Sequence, residues 1–339
     1  MVGELFLLAV SFAIILVGAL TFTNAVEWLG HKLSLGEGAV GSLLAAVGTA
    51  MPESLIPLVA IIGGAEGSDD VAIGAIVGAP FLLATVAMFL VGVSALAYQK
   101  RRPQGHRLNI HVETVERDLI VFLAFFAAGL ALGLGVPDGL KWIAAVLFLV
   151  GYGGYVVATL RGGGSVQDED TLQPLVLHRV PLIMDSSPQD DPPLRLVILQ
   201  FAIGLGAMVG GAHMFVEEVL AVAESLGADV LILSLVLAPL ATELPEKANS
   251  FFWVREGKDT LALGNITGAM VFQSMIPVSF GLAFTTWDLD RFGIASMAIG
   301  LAGGLVALIV LARRREFTMP AILAWGLLYL AFLGMVIFA

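Results

Sequence analysis

Thr49-Ala50-Met51-Pro52-Glu53 and Thr242-Glu243-Leu244-Pro245-Glu246 are the two stretches on which the fold turns. Each repeats Thr-x-x-Pro-Glu inside a long apolar run. Proline removes a backbone donor and clashes with the preceding turn, so a helix kinks or breaks there. A break frees carbonyl oxygens, which membrane depth tolerates only where they line a cavity. The same five residues place a carboxylate beside those oxygens. A charged side chain at the bilayer centre costs about 3 kcal/mol or more, which marks both glutamates as functional by default.

The match between the two stretches extends outward without a gap. Gly18-Ala19-Leu20-Thr21-Phe22 aligns with Gly211-Ala212-His213-Met214-Phe215, Leu33 with Leu226, and Leu44-Ala45 with Leu237-Ala238. Further along, Gly74-Ala75-Ile76-Val77-Gly78-Ala79 matches Gly264-Asn265-Ile266-Thr267-Gly268-Ala269. Apolar runs between charged or Pro/Gly-rich breaks predict ten helices, near 3–23, 38–63, 70–98, 118–135, 139–160, 194–224, 228–254, 259–285, 292–312 and 317–338. Five helices per half is an odd number, so the second half must lie upside down relative to the first. The predicted fold is therefore all-α and integral to the membrane, with two inverted five-helix repeats over 1–160 and 194–339 joined by a linker over 161–193.

Composition agrees. Of 339 residues 58% are hydrophobic and 13% charged, and the mean hydropathy is +0.94. A soluble domain carries about a quarter charged residues. Many of the apolar runs reach the roughly 20 residues that cross a bilayer as a helix, and none has the strict alternation of a membrane β-barrel. Met1-Val2-Gly3-Glu4 lacks a basic n-region, and the run from Leu5 to Leu20 ends in Thr21-Phe22-Thr23. It reads as a first membrane helix, not a removable signal. Cysteine is absent, which excludes disulfides, thiolate metal sites and a cysteine nucleophile.

Charge in the connections sets the expected orientation. Lys100, Arg101, Arg102 and Arg107 follow the third helix, and Arg313, Arg314 and Arg315 follow the ninth. Lys32, then Arg161 and Arg179, then Arg255 and Lys258 follow the first, fifth and seventh. The other links are acidic or poor in basic residues. The positive-inside rule then puts the linker in the cytoplasm and both termini outside, in a plasma or inner membrane. Within the linker, the apolar patch Leu175 to Met184 reads first as packing against the bundle, with a docked partner or the membrane surface as alternatives.

Face-to-face apposition of the two motifs would bring Glu53 and Glu246 together. Two close carboxylates repel unless a proton or cation lies between them. Carboxylates, Thr hydroxyls and freed carbonyls form an oxygen-only shell, which suits Ca2+ and by extension Na+; soft transition metals would want Cys or His. Glu243 and Glu246, three apart, share a helix face.

The residues from Gly41 through Glu53, and from Leu237 through Glu246, resemble the two α-repeats of the cation/Ca2+ exchanger superfamily, which includes sodium/calcium and proton/calcium exchangers. Gly264-Asn265-Ile266-Thr267-Gly268-Ala269-Met270 is similar to the second part of its signature. The likeness covers roughly 18–85 and 201–280. It implies Glu53 and Glu246 as central acidic ligands, Thr49 and Thr242 as hydroxyl ligands, and the carbonyls of Ala46 and Pro239 as backbone ligands. Glu243 falls where the family has Ser, and Gln273 where a further polar ligand occurs. Ala79 and Ala269 replace the signature's second Ser, Pro80 and Met270 its Asn, and Leu83 mirrors Gln273. These departures imply fewer ion sites, another coupling ion such as H+, or a different divalent cation.

The function read from this is secondary active antiport, in which Ca2+ or a related cation exchanges for Na+ or H+ and the ions are substrates, not cofactors. A transport-dead cation sensor is the alternative. An intramembrane enzyme would need a nucleophile–base pair or metal site that the motifs do not supply. No cofactor or nucleic-acid partner is expected; the partners are inorganic cations and the lipid bilayer, with protein partners left open. Lys247 reads equally as a built-in counter-cation and as a side chain snorkelling toward the interface. His213 reads as a packed histidine, and His111 and Glu113 as solvated surface. Asn265 reads as a ligand-orienting group or as a bond between helices. The pairs Gly74/Gly78 and Gly264/Gly268 read as close helix packing.

Overall fold

A computed structural model describes residues 2–32, 51–102, 105, 107–161, 173–179, 191–312 and 317–338. Among these the chain forms eleven α-helices: α1 Val2–Lys32, α2 Met51–Gly63, α3 Ser68–Ala97, α4 Val112–Leu132, α5 Asp138–Arg161, α6 Leu194–Leu226, α7 Val230–Thr242, α8 Leu244–Glu256, α9 Asp259–Phe284, α10 Arg291–Leu311 and α11 Met319–Ile337. Seven of them, α1, α3, α5, α6, α9, α10 and α11, are long and apolar enough to cross a membrane.

Three predicted boundaries move, each for a local reason. The first helix runs to Lys32 instead of 23 because Ala25, Val26 and Gly30 remain buried beyond Asn24. The fourth starts at Val112 instead of 118, which brings Arg117 and Asp118 inside a helix. The predicted helix 228–254 is two helices, broken at Glu243 between Thr242 and Leu244.

The bundle places polar groups inside and apolar ones outside, as lipid demands. Leu140, Trp142, Ile143, Val146, Leu147 and Val150 of α5 are exposed, whereas Glu53, Asp118, Gln200, Glu243 and Lys247 are buried. α1 and α6 form a long antiparallel pair in which small residues admit the partner's backbone. A Cβ on Gly204 would lie 2.7 Å from the Phe22 nitrogen, and one on Gly211 would lie 2.8 Å from Ile15. α3 crosses α7 just as closely. A Cβ on Gly74 would stand 2.6 Å from the Leu231 carbonyl oxygen, and one on Gly78 would fall on that of Leu235. At Gly264 and Gly268 nothing among the described residues lies within 4 Å of an added Cβ.

Part of the linker is an ordered strap. Gln173–Arg179 lies across the junction of α1 and α6, with Leu175 and Leu177 buried there. Asn24 Nδ2 and Trp28 Nε1 donate to the Gln173 carbonyl, and the backbone N–H groups of Val176 and Leu177 donate to Asn24 Oδ1 and Gln200 Oε1. The patch therefore packs on the bundle as far as Leu177; the side chains of His178 and Arg179 and residues 180–184 lie outside the described residues.

A second cross-link ties the segment after α3 to the start of α9. Arg102 Nη2 donates to both Asp259 oxygens at 2.7 Å, and the Asn109 N–H donates to Asp259 Oδ2 at 2.9 Å. Both charged side chains are fully buried. Arg102→Met would strand a buried carboxylate, so thermal unfolding in detergent should register a loss of about 3–5 kcal/mol. Arg102→Met combined with Asp259→Leu should recover most of it. At the opposite end Lys141 binds the Thr286 carbonyl and Asp288. His213 is a correction: its side chain is 64% exposed on α6, 3.3 Å from Glu217, because this face of α6 turns away from α1. The Arg313-Arg314-Arg315 run lies outside the described residues.

Candidate ion site

The break between α7 and α8 builds the centre of the site. Glu243 leaves the helical region with φ −95° and ψ 3°, and Pro245, the second residue of α8, needs no donor there. Ending α7 at Thr242 leaves carbonyls of its last turn short of helical partners, although that of Pro239 accepts from the Glu243 N–H at 3.0 Å. Pro239, one turn earlier, deprives the Leu235 carbonyl of its partner as well. Starting α8 at Leu244 places Glu243 at its N-cap and Glu246 in its first turn, where the positive end of the helix dipole favours carboxylates.

A narrow cleft opens at this break, lined by Glu53, Ile56, Ala75, Ala79, Ala238, Pro239 and Thr242. Glu53 of α2 therefore faces Thr242 and Pro239 of α7 across one cavity, although 189 positions separate Glu53 from Thr242. Glu53 is 5% exposed and Thr242 is 3%. The Thr242 hydroxyl donates to the Ala238 carbonyl at 3.2 Å, which leaves its lone pairs available to a cation. The α3 wall contributes only the methyls of Ala75 and Ala79.

Beside the cleft, Lys247 Nζ donates to Glu243 Oε2 at 2.6 Å. The two side chains are 5% and 0% exposed, so Lys247 does not snorkel. The Gln273 side chain lies against the same carboxylate. Neither Glu243 Oε1 nor Gln273 Oε1 has a hydrogen-bond partner among the described residues. These two buried acceptors lie beside the donors of the Lys247 ammonium and the Gln273 amide. Asn265 Nδ2 donates to Ser250 Oγ at 3.2 Å, a bond between α9 and α8.

Of the residues marked from sequence, Glu53, Thr242 and Pro239 share the cleft, while Glu243 and Gln273 form the adjoining polar pocket. Asn265 holds the two helices together. Ala46 and Thr49 lie outside the described residues, as does the side chain of Glu246. Sequence reasoning missed Asp118. It is buried in α4 and accepts from Arg117 Nη2 at 2.9 Å, the Tyr155 hydroxyl at 2.9 Å and Thr267 Oγ1 at 3.0 Å. Thr267 belongs to the Gly-Asn-x-x-Gly segment, so Asp118 braces the helix that carries Gln273. An ion pair beside a long apolar run was the available signal, and placing it at the helix boundary hid it.

The sodium/calcium exchanger protein model matches residues 3–161 and 196–338, most of the chain. The chain belongs to the sodium/calcium exchanger family. Membership makes this exchanger-family chain an integral membrane secondary transporter and not an enzyme. The Escherichia coli inner membrane protein YrbG is 25% identical over 84% of this chain and 81% of its own length. Two solved structures share the fold at 18% identity. The H+/Ca2+ exchanger CAX superimposes with a TM-score of 0.72 over 97% of this chain and 81% of that one. The sodium-calcium exchanger NCX_Mj does so at 0.58 over 98% and 97%.

Proposed function

We propose that this exchanger-family protein carries Ca2+ or a related divalent cation across the membrane in exchange for Na+ or H+, by alternating access to one central site. The observation that carries this reading is the single cleft joining Glu53 from the first motif to Thr242 and Pro239 from the second. Glu53 and Glu246 supply the charge. Thr49, Thr242 and the carbonyls of Ala46 and Pro239 complete an oxygen shell, and Gln273 and Glu243 flank it. Asn265 acts through Ser250 to hold α8. Ala75 and Ala79 offer no oxygen on the α3 wall, which supports fewer ions per cycle than a fully polar site would take.

The repeat architecture supports the cycle. Residues 1–160 and 194–339 act as two five-helix units of opposite orientation, with 161–193 as a cytoplasmic linker and both termini outside. The antiparallel α1–α6 pair is what inverted equivalents require, since Gly18 aligns with Gly211 and the two helices run oppositely. Such a pair can slide as a unit past the remaining helices and expose a midplane site to each side in turn. Unequal charge exchange would make the rate voltage-sensitive, by about 2.3 kcal/mol per charge per 100 mV.

The test is uptake of radiolabelled Ca2+ into proteoliposomes under separately imposed Na+ and H+ gradients. One gradient should drive accumulation and the other should not. Ca2+ binding without any flux would leave the sensor reading standing, and neither binding nor flux would sink both.

A further inference from the structure

The two motifs differ in charge at one pair of positions. Where the first repeat carries Ala50 and Ser54, the second carries Glu243 and Lys247 at the equivalent places. A carboxylate and an ammonium have entered together, one helical turn apart, and the structure pairs them at 2.6 Å in the interior. An uncompensated charge at this depth is costly. Their joint presence adds no net charge, whereas either one alone would change the charge of the site by a full unit.

Resting on the exchange reading above, we propose that Lys247 is a resident cation, fixed in the ion site, that sets how many mobile charges the protein must bind. Its ammonium takes one oxygen of Glu243 and cancels that carboxylate's charge. The other oxygen, Oε1, stays open beside Gln273. Glu243 thereby serves as a polar ligand with no net charge to offer, and Glu53 and Glu246 remain as a pair matched to one divalent ion. A side chain tethered to α8 stays with the protein through the cycle. A monovalent co-ion at the same place would be released to one side and contribute to the charge moved. Lys247 is thus a specificity-determining residue: it excludes a monovalent ion from the Glu243 pocket by filling it.

The chain itself supplies the control. Lys247→Met leaves Glu243 without its partner, and Glu243→Ala with Lys247→Ser copies the first repeat. Both are compared with wild type in proteoliposomes by radiolabelled Ca2+ uptake and by charge moved per Ca2+ on a solid-supported membrane, with monomer recovery from size exclusion as the folding control. Lys247→Met should lose about tenfold in Ca2+ flux in choline medium. Adding Na+ or Li+ at tens of millimolar should restore it, with the charge per Ca2+ changed by one. The double variant, having lost the Glu243 oxygen, should bind Ca2+ more weakly, but it should be more active than Lys247→Met, keep the wild-type charge per Ca2+ and show no response to monovalent ions. Two results would overturn the inference: a Lys247→Met protein with wild-type flux and charge, or a double variant as inactive as the single one, which would make the pair a structural brace. If Lys247→Met is not recovered folded, the double variant decides by the same criterion. Wild-type protein that moves no Ca2+ under any gradient would instead defeat the exchange reading itself.

Discussion

Glu53→Gln should abolish Ca2+ flux in proteoliposomes, with a fall of at least about a hundredfold, while the purified protein remains folded. Glutamine keeps the shape and one oxygen but removes the charge that an ion bound in the cleft must meet. Removing one partner of a buried charge pair costs about 2–5 kcal/mol, and about 1.4 kcal/mol is a tenfold change in affinity. The folded state itself should lose less than the flux does, because glutamine keeps the size of the side chain and one of its acceptor oxygens. The two readouts must therefore separate, with flux lost and thermal unfolding largely retained. Glu246→Gln should behave alike if the two motifs contribute equally. Wild-type flux in Glu53→Gln would show that the cleft does not carry the ion.

Gly78→Val should be the most damaging change at a residue that offers the ion no ligand. A Cβ there would occupy the space of the Leu235 carbonyl oxygen, a backbone atom that no rotamer change can move. α3 and α7 must then separate, and both line the cleft through Ala75 and Ala79 on one side and Ala238, Pro239 and Thr242 on the other. Overpacking of this kind costs about 1–3 kcal/mol in stability. Displacing ligands built to close tolerance costs more in function, since a shift of about 1 Å can remove a hundredfold in rate. Unfolding in detergent and Ca2+ flux should fall together. Gly206→Val on α6 is the control: nothing among the described residues lies within 4 Å of its Cβ position, so stability should change by no more than about 0.5 kcal/mol. Equal damage from both would mean that helix propensity, not the α3–α7 approach, is what matters at Gly78.

Much of this could be read from the chain because a membrane punishes ambiguity. Ten apolar runs, the basic links and the duplicated Thr-x-x-Pro-Glu each carry their meaning locally, and all agree on where the helices lie. The prolines also located the break in the second repeat, since a missing N–H is a property of one residue. Less legible were features that depend on which helix face meets which neighbour. Lys247 had two equal readings in sequence. Whether a lysine reaches the interface or an interior carboxylate depends on the rotation of α8, and the 2.6 Å bond to Glu243 decides it. His213 went the other way, outward beside Glu217. Asp118 was overlooked because its importance lies in Thr267 and Tyr155, residues remote in the chain.

By itself, then, the sequence determined the solvent this protein lives in and roughly where its apolar spans lie, and it marked candidate residues to meet a cation, because hydropathy and proline chemistry act over a single turn or a single span. Only the tertiary structure decided that Glu53 and Thr242 look into one cleft, that Glu243 is already engaged by an internal lysine, and that part of the linker straps α1 to α6. Those are statements about distance between segments. Burial fixes such distances through the packing of whole helices, at glycines such as Gly74 and Gly204 where backbones touch.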